Sequence, residues 1–462
     1  MRSSRRLVLP RPSLPFALLC VLLSVLWLAG GASRADALGQ VLVRGVSALL
    51  LMIMCLFGER PALSRARPVV IFLALALLLV LLQLVPLPPG VWQAFPGRAV
   101  LVEAAAASGQ AQPWRPWSVV PGATVNAAAS LIVPVTTLVL VTGLERSELA
   151  RLPQLILGLI LVSTLIGLLQ FTGVSFNNPF ANDTPGQVGG MFANRNHFAL
   201  FLAFGCLLVP AWAFHDAHQP GWRLPVALGL LMLFTLTILA SGSRAGLGLG
   251  ILALAIGLLL VRRRIKLALR RYPRWAFPAL IAGIVGIMAI SVLISVAADR
   301  AVSIDRAFAV DSAQDIRQRA LPTVFAMIQT YFPMGSGFGG FDPLFQMHEP
   351  FQLLKLTKFN HAHNDLLEIV LDGGLFGLLL LLSALLWWGW ASVRAWRADT
   401  GGHHLLPKLG SALLLLILLA SVTDYPARTP IMMAMIVIAG VWLSRAMAEP
   451  AASALPGSDQ HL

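Results

Sequence analysis

Repeated apolar stretches, each about as long as a bilayer is thick, constrain this chain more than any other feature of its sequence. About twelve such runs alternate with short segments that carry Arg and Lys, and a helix needs about 20 apolar residues to cross a bilayer. Hydrophobic residues make up 57% of the chain and charged residues only 12%, against about 25% charged residues in soluble domains. The sequence therefore predicts an all-α polytopic membrane protein embedded in the lipid bilayer.

Arg and Lys are concentrated at alternate ends of these runs, as expected for cytoplasmic loops. Alternation from a cytoplasmic N-terminus places most of the 34 basic residues on that side. Both termini are therefore predicted to lie in the cytoplasm, with the protein in the inner membrane. We expect an uncleaved first helix, although its start also resembles a signal peptide. The predicted spans cover residues 14–30, 40–57, 68–86, 123–143, 152–172, 195–214, 224–240, 244–261, 276–297, 364–390, 409–421 and 430–447.

The net charge of +14 would suggest a nucleic-acid partner for a soluble protein. Here the charge follows from the basic loops, and we expect no nucleic-acid binding. Cys20, Cys55 and Cys206 lie inside apolar runs and are predicted to be core residues rather than a disulfide set or a metal site. Because no P-loop, Rossmann fingerprint or zinc motif is present, we expect neither cofactor nor metal, and the substrate should arrive activated.

Three segments on the predicted extracytoplasmic side are too long to be plain turns. Residues 87–122 are rich in Pro and Trp, and interfacial anchoring of the Trp rings is their expected role. Residues 173–194 are rich in Asn. Residues 298–363 form the largest loop, between the ninth and tenth spans, with an expected amphipathic helix near 312–331 and a Gly-rich turn at 333–340.

Two arginines stand at the predicted outer starts of spans. Arg195 lies between Asn194 and Asn196 at the start of the sixth span, and Arg244 follows Ser and Gly residues at the start of the eighth. A helix N-terminus favours anions, and a guanidinium adds a fork that suits phosphate. These residues indicate a phosphate site, with snorkelling of the side chains to the interface as the alternative.

The start of the tenth span carries the residues best suited to proton transfer. His361 and His363 precede Asp365, Glu368 and Asp372, and on a helix these three acids share one face. A carboxylate can orient a His ring, and such a pair is a suitable general base near neutral pH. The pattern predicts a His base held by one of these acids.

These polar residues also have plain structural explanations. Asn364 or Asp365 could act as the N-cap of the tenth span, with the acids stabilising its first turn. Arg317, in the expected loop helix, could reach a phosphate or pair with Asp315 or another loop acid. A metal held by the two histidines is disfavoured, because no Cys or third His lies in the same segment.

Four segments together are similar to a known family. They are Met191–Ala199, Ser243–Gly246, Phe332–Gly339 and His361–Gly377. They resemble, in order, the F-x-N-x-N, S-R-[AG]-[AG], P-x-G-x-G and H-x-H-N-x-x-L-E…G-x-x-G elements of the O-antigen ligase and O-antigen polymerase superfamily. The resemblance extends over roughly residues 150–390.

The resemblance implies a GT-C-like helical bundle of about 12 transmembrane helices, with a large periplasmic loop between helices 9 and 10. It implies glycan transfer from undecaprenyl diphosphate to a hydroxyl of lipid A core, a growing polysaccharide or a protein. His363 would be the base that activates this hydroxyl, with His361 as the second candidate. Arg195 and Arg244 would bind the diphosphate, joined by Arg317.

On this interpretation the chain has three parts. Residues 1–150 hold N-terminal spans, 151–392 the ligase- or polymerase-like core, and 393–462 the last spans and a cytoplasmic tail. Two rival functions remain, a transporter of lipid-linked sugar and a scaffold of an envelope complex. Transporters tend to carry repeats and ionisable residues near the bilayer midplane, whereas here no repeat is visible and the charges lie at the outer surface.

Overall fold

The protein is described from a computed structural model. The described residues are 12–173, 178–181, 187–214, 221–268, 312–354, 358–398 and 405–447, with isolated positions 273, 275, 282, 283 and 286.

Helices dominate the described part of the chain. The α-helices of the first part are α1 (Leu14–Ala29), α2 (Leu38–Phe57), α3 (Arg67–Leu82), α4 (Pro89–Trp92), α5 (Ala99–Ala107), α6 (Pro121–Ser130), α7 (Ile132–Thr142), α8 (Arg146–Leu149) and α9 (Leu152–Phe171). Those of the second part are α10 (Arg195–Ala213), α11 (Arg223–Ser241), α12 (Arg244–Ala268), α13 (Ser312–Tyr331), α14 (Phe341–His348), α15 (Asp365–Arg397), α16 (Leu405–Ser421) and α17 (Pro430–Ser444). Short 3-10 helices cover Leu63–Ala66, Phe351–Leu353, Pro426–Arg428 and Arg445–Met447, and strands β1 (Pro86–Leu87) and β2 (Arg115–Pro116) pair antiparallel.

Among the described residues, eight helical stretches are long and apolar enough to cross a membrane. They coincide with eight of the predicted spans, and the shorter apolar helices α1, α16 and α17 coincide with three more. The predicted ninth span, 276–297, lies outside the continuously described residues. The class of polytopic all-α membrane protein is thus confirmed, while the total of twelve spans stays a prediction.

Helix α10 lies at the centre of the bundle. Its apolar window is 89% buried, whereas the other candidate spans are between 17% and 44% buried. Helix α12 crosses α10 closely at Gly257. A Cβ atom added to Gly257 would lie only 2.9 Å from the carbonyl oxygen of Leu207. Glycine at such a crossing lets two backbones approach. The crossing fixes the N-termini of α10 and α12 relative to each other.

The Pro- and Trp-rich segment 87–122 is a structural support rather than a row of interfacial anchors. Trp92 is 1% exposed, and its indole N–H donates to the Pro113 carbonyl at 3.0 Å. Trp117 donates to the Met334 carbonyl at 2.9 Å. The prediction of interfacial anchoring is wrong for Trp92, because its ring is buried and its indole N–H has a protein partner. Trp114 is 66% exposed, as an anchor would be.

The Gly-rich turn docks into a break in α15. The backbone of α15 leaves helical geometry at Gly374, with φ 58° and ψ −141°. The N–H groups of Ser336 and Gly337 donate to carbonyl oxygens of Leu371 and Asp372 at 2.9 and 3.0 Å. The N–H of Leu375 donates back to the Pro333 carbonyl at 2.8 Å. The turn thus takes over backbone hydrogen bonds that the helix break would leave unmade.

Alanine at Gly335 is expected to destabilise the protein by at least about 2 kcal/mol, through left-handed backbone strain and overpacking. Gly335 has φ 79°, and a Cβ there would lie 2.5 Å from the backbone nitrogen of Gly374. The measurement is the melting midpoint and folded yield in detergent.

The matched control is Gly109→Ala, because Gly109 has φ 64° but no atom within 4 Å of a Cβ. Gly109→Ala should lose only the part of the stability that left-handed backbone strain accounts for, and none through overpacking. Equal melting midpoints for the two variants would show that the docking of the turn contributes little.

Candidate active site

The predicted phosphate-binding arginines and the predicted base line one cleft. Arg195, Arg244, Arg317 and His363 are all among its lining residues, and its volume is about 480 Å³. Arg195 and Arg244 come from the N-termini of α10 and α12, Arg317 from α13, and His363 from the segment before α15. No carboxylate occurs among the described lining residues, so the charged groups facing this cleft favour an anion.

Asp424, in the connection between α16 and α17, holds these elements together. Its side chain is 3% exposed and accepts hydrogen bonds from the side-chain amides of Asn194, at 3.1 and 3.2 Å, and Asn196, at 2.6 Å. Its carboxylate oxygens also lie 3.7 Å from Nε2 of His197 and 3.8 Å from Nη2 of Arg317. A buried carboxylate needs such partners to offset the loss of water.

The charge of Asp424 is well stabilised. Burial alone would raise the pKa of its carboxyl, but the close approach of the His197 and His363 rings, followed by the Arg317 charge, holds that pKa well below its usual range. Asp424 is therefore an anion at neutral pH and attracts the groups that surround it.

His363 faces Asp424 through one ring nitrogen. Its Nδ1 lies 3.4 Å from Oδ1 of Asp424, and its side chain is 14% exposed. Burial lowers the pKa of His363, and the Asp424 carboxylate opposes this effect only in part. The ring is thus neutral at pH 7. With Nδ1 turned to the acid, the proton-accepting nitrogen is Nε2.

His363 also has an unusual backbone. Its φ is +50°, and no other non-glycine residue in the described part of the chain has a positive φ. Such a conformation costs of order 1–3 kcal/mol and persists only where the surroundings enforce it. Asn364 next to it caps α15, its side chain accepting from the Leu367 N–H at 3.0 Å, as predicted. The strained turn and the cap set the direction of the His363 ring.

Asn196 connects the two helix N-termini that carry the arginines. Its amide donates to Asp424, and its amide oxygen accepts from the Ser243 hydroxyl at 2.8 Å. Ser243 in turn accepts from the Gly246 N–H at 3.0 Å, which satisfies one of the free donors of the α12 N-terminus. Asn194 caps α10 by accepting from the Asn196 N–H at 2.8 Å. Both arginines are therefore attached to capped, hydrogen-bonded helix ends.

The three acids of α15 surround Arg428 rather than His363. The guanidinium nitrogens of Arg428 lie 3.5 Å from a carboxylate oxygen of Asp365 and 3.4 Å from one each of Glu368 and Asp372. All three acids are at most 2% exposed. They share one helix face, as predicted.

The partner of each histidine differs in part from the prediction. Glu368 accepts from Nδ1 of His361 at 2.9 Å and from the Ala362 N–H at 2.8 Å, so His361 is oriented by an acid of α15 as expected. Asp365 instead accepts from the Ser421 hydroxyl at 2.8 Å. The acid beside His363 is Asp424, because the turn at His363 directs its ring to the α16–α17 connection.

Tyr425 lies among three histidine rings. Its ring centroid is 4.4 Å from that of His361, 4.9 Å from His363 and 5.1 Å from His197. Burial, followed by the Asp424 charge, raises the pKa of Tyr425 to about 12. The phenol therefore keeps its proton and packs as a neutral ring against both histidines of the motif.

Asp424, Tyr425 and Arg428 were missed by reasoning from the sequence. All three lie in the eight residues between α16 and α17, which looked like a plain connection. The sequence did contain one signal, which is the presence of ionisable residues between two apolar runs. Placing such residues near a membrane costs free energy, and they are usually functional. Their partners, however, lie 56 to 230 residues away in sequence.

Arg317 contacts the connection between α16 and α17. Its guanidinium lies beside Asp424 and also donates to the Thr423 carbonyl at 3.3 Å, while the side chain of Asp315 lies outside the described residues. Arg319 donates to the Gln352 carbonyl at 3.3 Å and is not a lining residue of the cleft. Within the described ranges, no three His, Cys, Asp or Glu side chains converge in a way that could hold a metal ion.

Residues 228–382 match the family model described as O-antigen ligase. The matched stretch contains Arg244, Arg317, His361 and His363. No curated protein matches the chain significantly. The match bears out the resemblance for three of the four motif segments, because Met191–Ala199 lies outside the matched residues. The family is one of ligase- and polymerase-type glycosyltransferases.

Proposed function

We propose, on the premise that the chain belongs to the O-antigen ligase superfamily, that it transfers a glycan from undecaprenyl diphosphate to an acceptor hydroxyl. The observation that carries this proposal is the single cleft that contains three arginines and a neutral His. In the proposed arrangement the cleft opens on the extracytoplasmic side of the bacterial inner membrane, with both termini in the cytoplasm. The basic loops of the sequence support that orientation.

His363 is the proposed general base. The acceptor O–H gives its proton to Nε2 of His363 while its oxygen attacks the anomeric carbon of the donor glycan. The ring becomes an imidazolium, and Asp424, 3.4 Å from Nδ1, stabilises the new positive charge. A well-placed base of this kind contributes about 10²–10⁴-fold in rate.

The three arginines are the proposed binding groups for the leaving diphosphate. As the bond from the anomeric carbon to the phosphate oxygen breaks, its electron pair leaves with the diphosphate. Arg195, Arg244 and Arg317 can neutralise this charge, and one donor aimed at developing charge is worth about 3–4 kcal/mol. Base and counter-charges are thus supplied by side chains, so the proposed reaction needs neither a metal nor another cofactor.

Asn194, Asn196, Asn364, Asp365 and Glu368 are proposed as positioning residues. The two asparagines of α10 hold its N-terminus on Asp424. Asn364 attaches the start of α15 to the α16–α17 connection, through the Val422 carbonyl at 2.9 Å, and Asp365 attaches it to the end of α16, through the Ser421 hydroxyl at 2.8 Å. None of them needs to touch the substrate to affect the rate.

The proposal predicts that Arg244→Ala and His363→Ala both abolish the finished envelope glycan. A strain lacking the protein is complemented with each variant, its glycans are resolved by gel, and undecaprenyl-linked intermediates are extracted in parallel. The expected result is normal expression, accumulated lipid-linked glycan and no finished product, because the base or the diphosphate site is lost.

Arg319→Ala is the control, since Arg319 lies on the same helix as Arg317 but outside the cleft; it should restore the wild-type pattern. The nature of the missing product, long chains or capped lipid A, separates a polymerase from a ligase. If both cleft variants restore wild-type glycans, the transfer proposal is wrong and transport or scaffolding takes its place.

A further inference from the structure

The proposed reaction gives no part to His197, which follows the two asparagines at the start of α10. The residue is 1% exposed, and its Nε2 lies 3.7 Å from Oδ1 of Asp424. Its ring meets that of Tyr425 edge-on, with the ring centroids 5.1 Å apart. An ionisable ring buried this deeply beside the counter-charge of the base is a candidate for a role in the reaction.

His197 and His363 approach the same oxygen of Asp424. Nδ1 of His363 lies 3.4 Å from this oxygen, Oδ1, and Nε2 of His197 lies 3.7 Å from it. A bare nitrogen lone pair would repel a buried carboxylate, so each of these nitrogens carries its proton on the side of Asp424. The two N–H groups therefore share one acceptor, and each weakens the attraction of that oxygen for the other.

The other ring nitrogen of His197, Nδ1, is also buried. It has no hydrogen-bond partner within the part of the chain that the structure describes. Buried polar atoms are nearly always satisfied by protein groups or by ordered water. With a proton on Nε2, Nδ1 accepts in the neutral ring and donates in the charged ring. A partner that can both donate and accept would satisfy Nδ1 in either state.

A small cavity beside His197 can supply such a partner. Its volume is about 90 Å³, and His197, Asn194, Asn360 and Tyr425 are among the residues that line it. A buried water needs about 10–15 Å³ of such space and two to four polar partners. The cavity therefore suits a small cluster of waters, and water can either donate to Nδ1 or accept from it.

Asp424 links this cavity to the cleft that holds the three arginines. The cavity and the cleft share none of their described lining residues. Asp424, however, contacts His197, which lines the cavity, and His363, which lines the cleft. Water bound at His197 therefore acts on the proposed base through the Asp424 carboxylate.

Several elements supply the ionisable groups around His197 and its acid. They are Asp424 and Tyr425 from the α16–α17 connection, Arg34 from the segment between α1 and α2, His363 from the segment before α15 and Arg317 from α13. The pKa of Tyr425 is about 12, so its phenol is neutral. Arg34 is paired with the exposed Asp36 at 2.6 Å. The group through which His197 reaches the base is therefore Asp424.

We propose that His197, held by water in the small cavity, is a positioning residue that limits how strongly Asp424 attracts the His363 ring. The inference rests on the proposed function and adds to it a residue that does not touch the substrate. Loss of the His197 N–H leaves Oδ1 of Asp424 to His363 alone. The pKa of His363, which the carboxylate raises, should then rise further.

The acidic limb of the pH profile should therefore move to higher pH when His197 is removed. Loss of the Asp424 charge would move the limb in the opposite direction. The sign does not depend on the charge of His197. A neutral ring competes for the carboxylate and a positive ring repels the imidazolium, so both forms oppose the charging of His363.

The test compares three substitutions of His197 in the full-length protein. Glutamine places its amide nitrogen where Nε2 stands, asparagine places one near Nδ1 and leaves the Nε2 position empty, and leucine removes both. The measurement is kcat/KM against pH in detergent with a lipid-linked donor. We expect His197→Leu and His197→Asn to move the acidic limb upward by about half a pH unit or more, and His197→Gln to keep it in place.

Two controls separate this effect from a general disturbance of the fold. His348→Leu removes a histidine that bonds Tyr331 at 3.2 Å and lines neither the cleft nor the small cavity, and it should leave the limb in place. In an Asp424→Asn background His197→Leu should have no effect on the limb, because the carboxylate that carries the effect is gone. If His197→Leu does not fold, the comparison of asparagine with glutamine decides. An unmoved limb with leucine and asparagine, or an equal shift with glutamine and leucine, would overturn the inference.

A second measurement needs no substrate and therefore distinguishes this inference from the proposed function. Deuterium exchange at C2 of each imidazole, followed against pH by mass spectrometry, reports the titration of single rings. The midpoint of His363 should rise with His197→Leu. His197 itself should exchange in the unaltered protein although it is 1% exposed, and a complete lack of exchange would show that the cavity is dry and contradict the inference. If the His363 midpoint rises but the rate profile does not follow it, His197 acts on Asp424 as inferred and the assignment of His363 as the base fails.

Discussion

Replacing Asp424 with Asn is expected to lower the rate of glycan transfer about 100-fold or more and to move the acidic limb of the pH profile to lower pH. The lower rate follows because the imidazolium formed at His363 loses the counter-charge that lies 3.4 Å from its Nδ1. Asparagine keeps the size of the side chain and part of its hydrogen bonding. The measurement is kcat/KM as a function of pH in detergent with a lipid-linked donor.

The direction of the pH shift follows from the groups around the ring. Burial lowers the pKa of His363 below its usual value, and the Asp424 carboxylate raises it again in part. The active base is the neutral ring, so the wild-type rate should fall only as the pH drops below the usual imidazole range near 6.5. Without the carboxylate the pKa falls further, so the neutral ring persists to lower pH.

A purely structural role for Asp424 would give a different result. Arg244→Ala is the matched control, because it should lower the rate through the diphosphate and leave the acidic limb where it is. If Asp424→Asn lowers the rate with an unchanged limb, Asp424 only supports the fold around Asn194 and Asn196. If it leaves the rate unchanged, His363 is not the base or needs no counter-charge.

The spans could be predicted because each one is a local property of the sequence. A run of about 20 apolar residues has few structures open to it in a bilayer, and the described helices follow the predicted runs closely. The N-cap of α15 was predictable for the same reason, since Asn364 acts on an N–H group three residues away. Interactions of this range leave a readable pattern.

The contacts within the site were not predictable, because they join distant segments. Asp424 meets Asn194 across 230 residues and Arg428 meets Asp372 across 56. On the sequence, the nearest acids to His363 were Asp365 and Glu368, and proximity along the chain favoured the wrong partner. The +50° φ of His363 turns its ring away from Asp365 and Glu368. No pattern of residues in the sequence predicted this backbone conformation.

The role of segment 87–122 was hidden by a similar ambiguity. Trp at a membrane interface and Trp buried under a loop have the same surroundings in sequence. Arg98 shows what the segment does, because it is 2% exposed and donates to the carbonyls of Trp117 and Gly335 at 2.7 and 3.0 Å. Burial lowers the pKa of Arg98 to about 10, and the guanidinium still carries its charge at neutral pH. The segment thus fastens the Gly-rich turn to the rest of the outer surface.

Replacing Arg428 with Met is expected to destabilise the protein by about 3–5 kcal/mol, the usual cost of leaving one side of a buried ion pair without its partner. Arg428 is the cation that Asp365, Glu368 and Asp372 share. Methionine fills a similar volume and removes the charge, so three buried carboxyl groups would face one another. The expected result is a large fall in the melting midpoint and in folded yield in detergent.

A second variant distinguishes charge from packing. Adding Asp372→Asn to Arg428→Met removes one of the facing carboxylates and should recover part of the loss, whereas the effects of two unrelated changes would simply add. Arg394→Met is the control, at an exposed position of α15, the helix that carries the three acids. It should change stability by less than about 0.5 kcal/mol. A melting midpoint of Arg428→Met close to that of the control would mean that the acids are satisfied without the guanidinium. The start of α15, and with it the His361–His363 turn, would then be held mainly by its caps and by the docked Gly-rich turn.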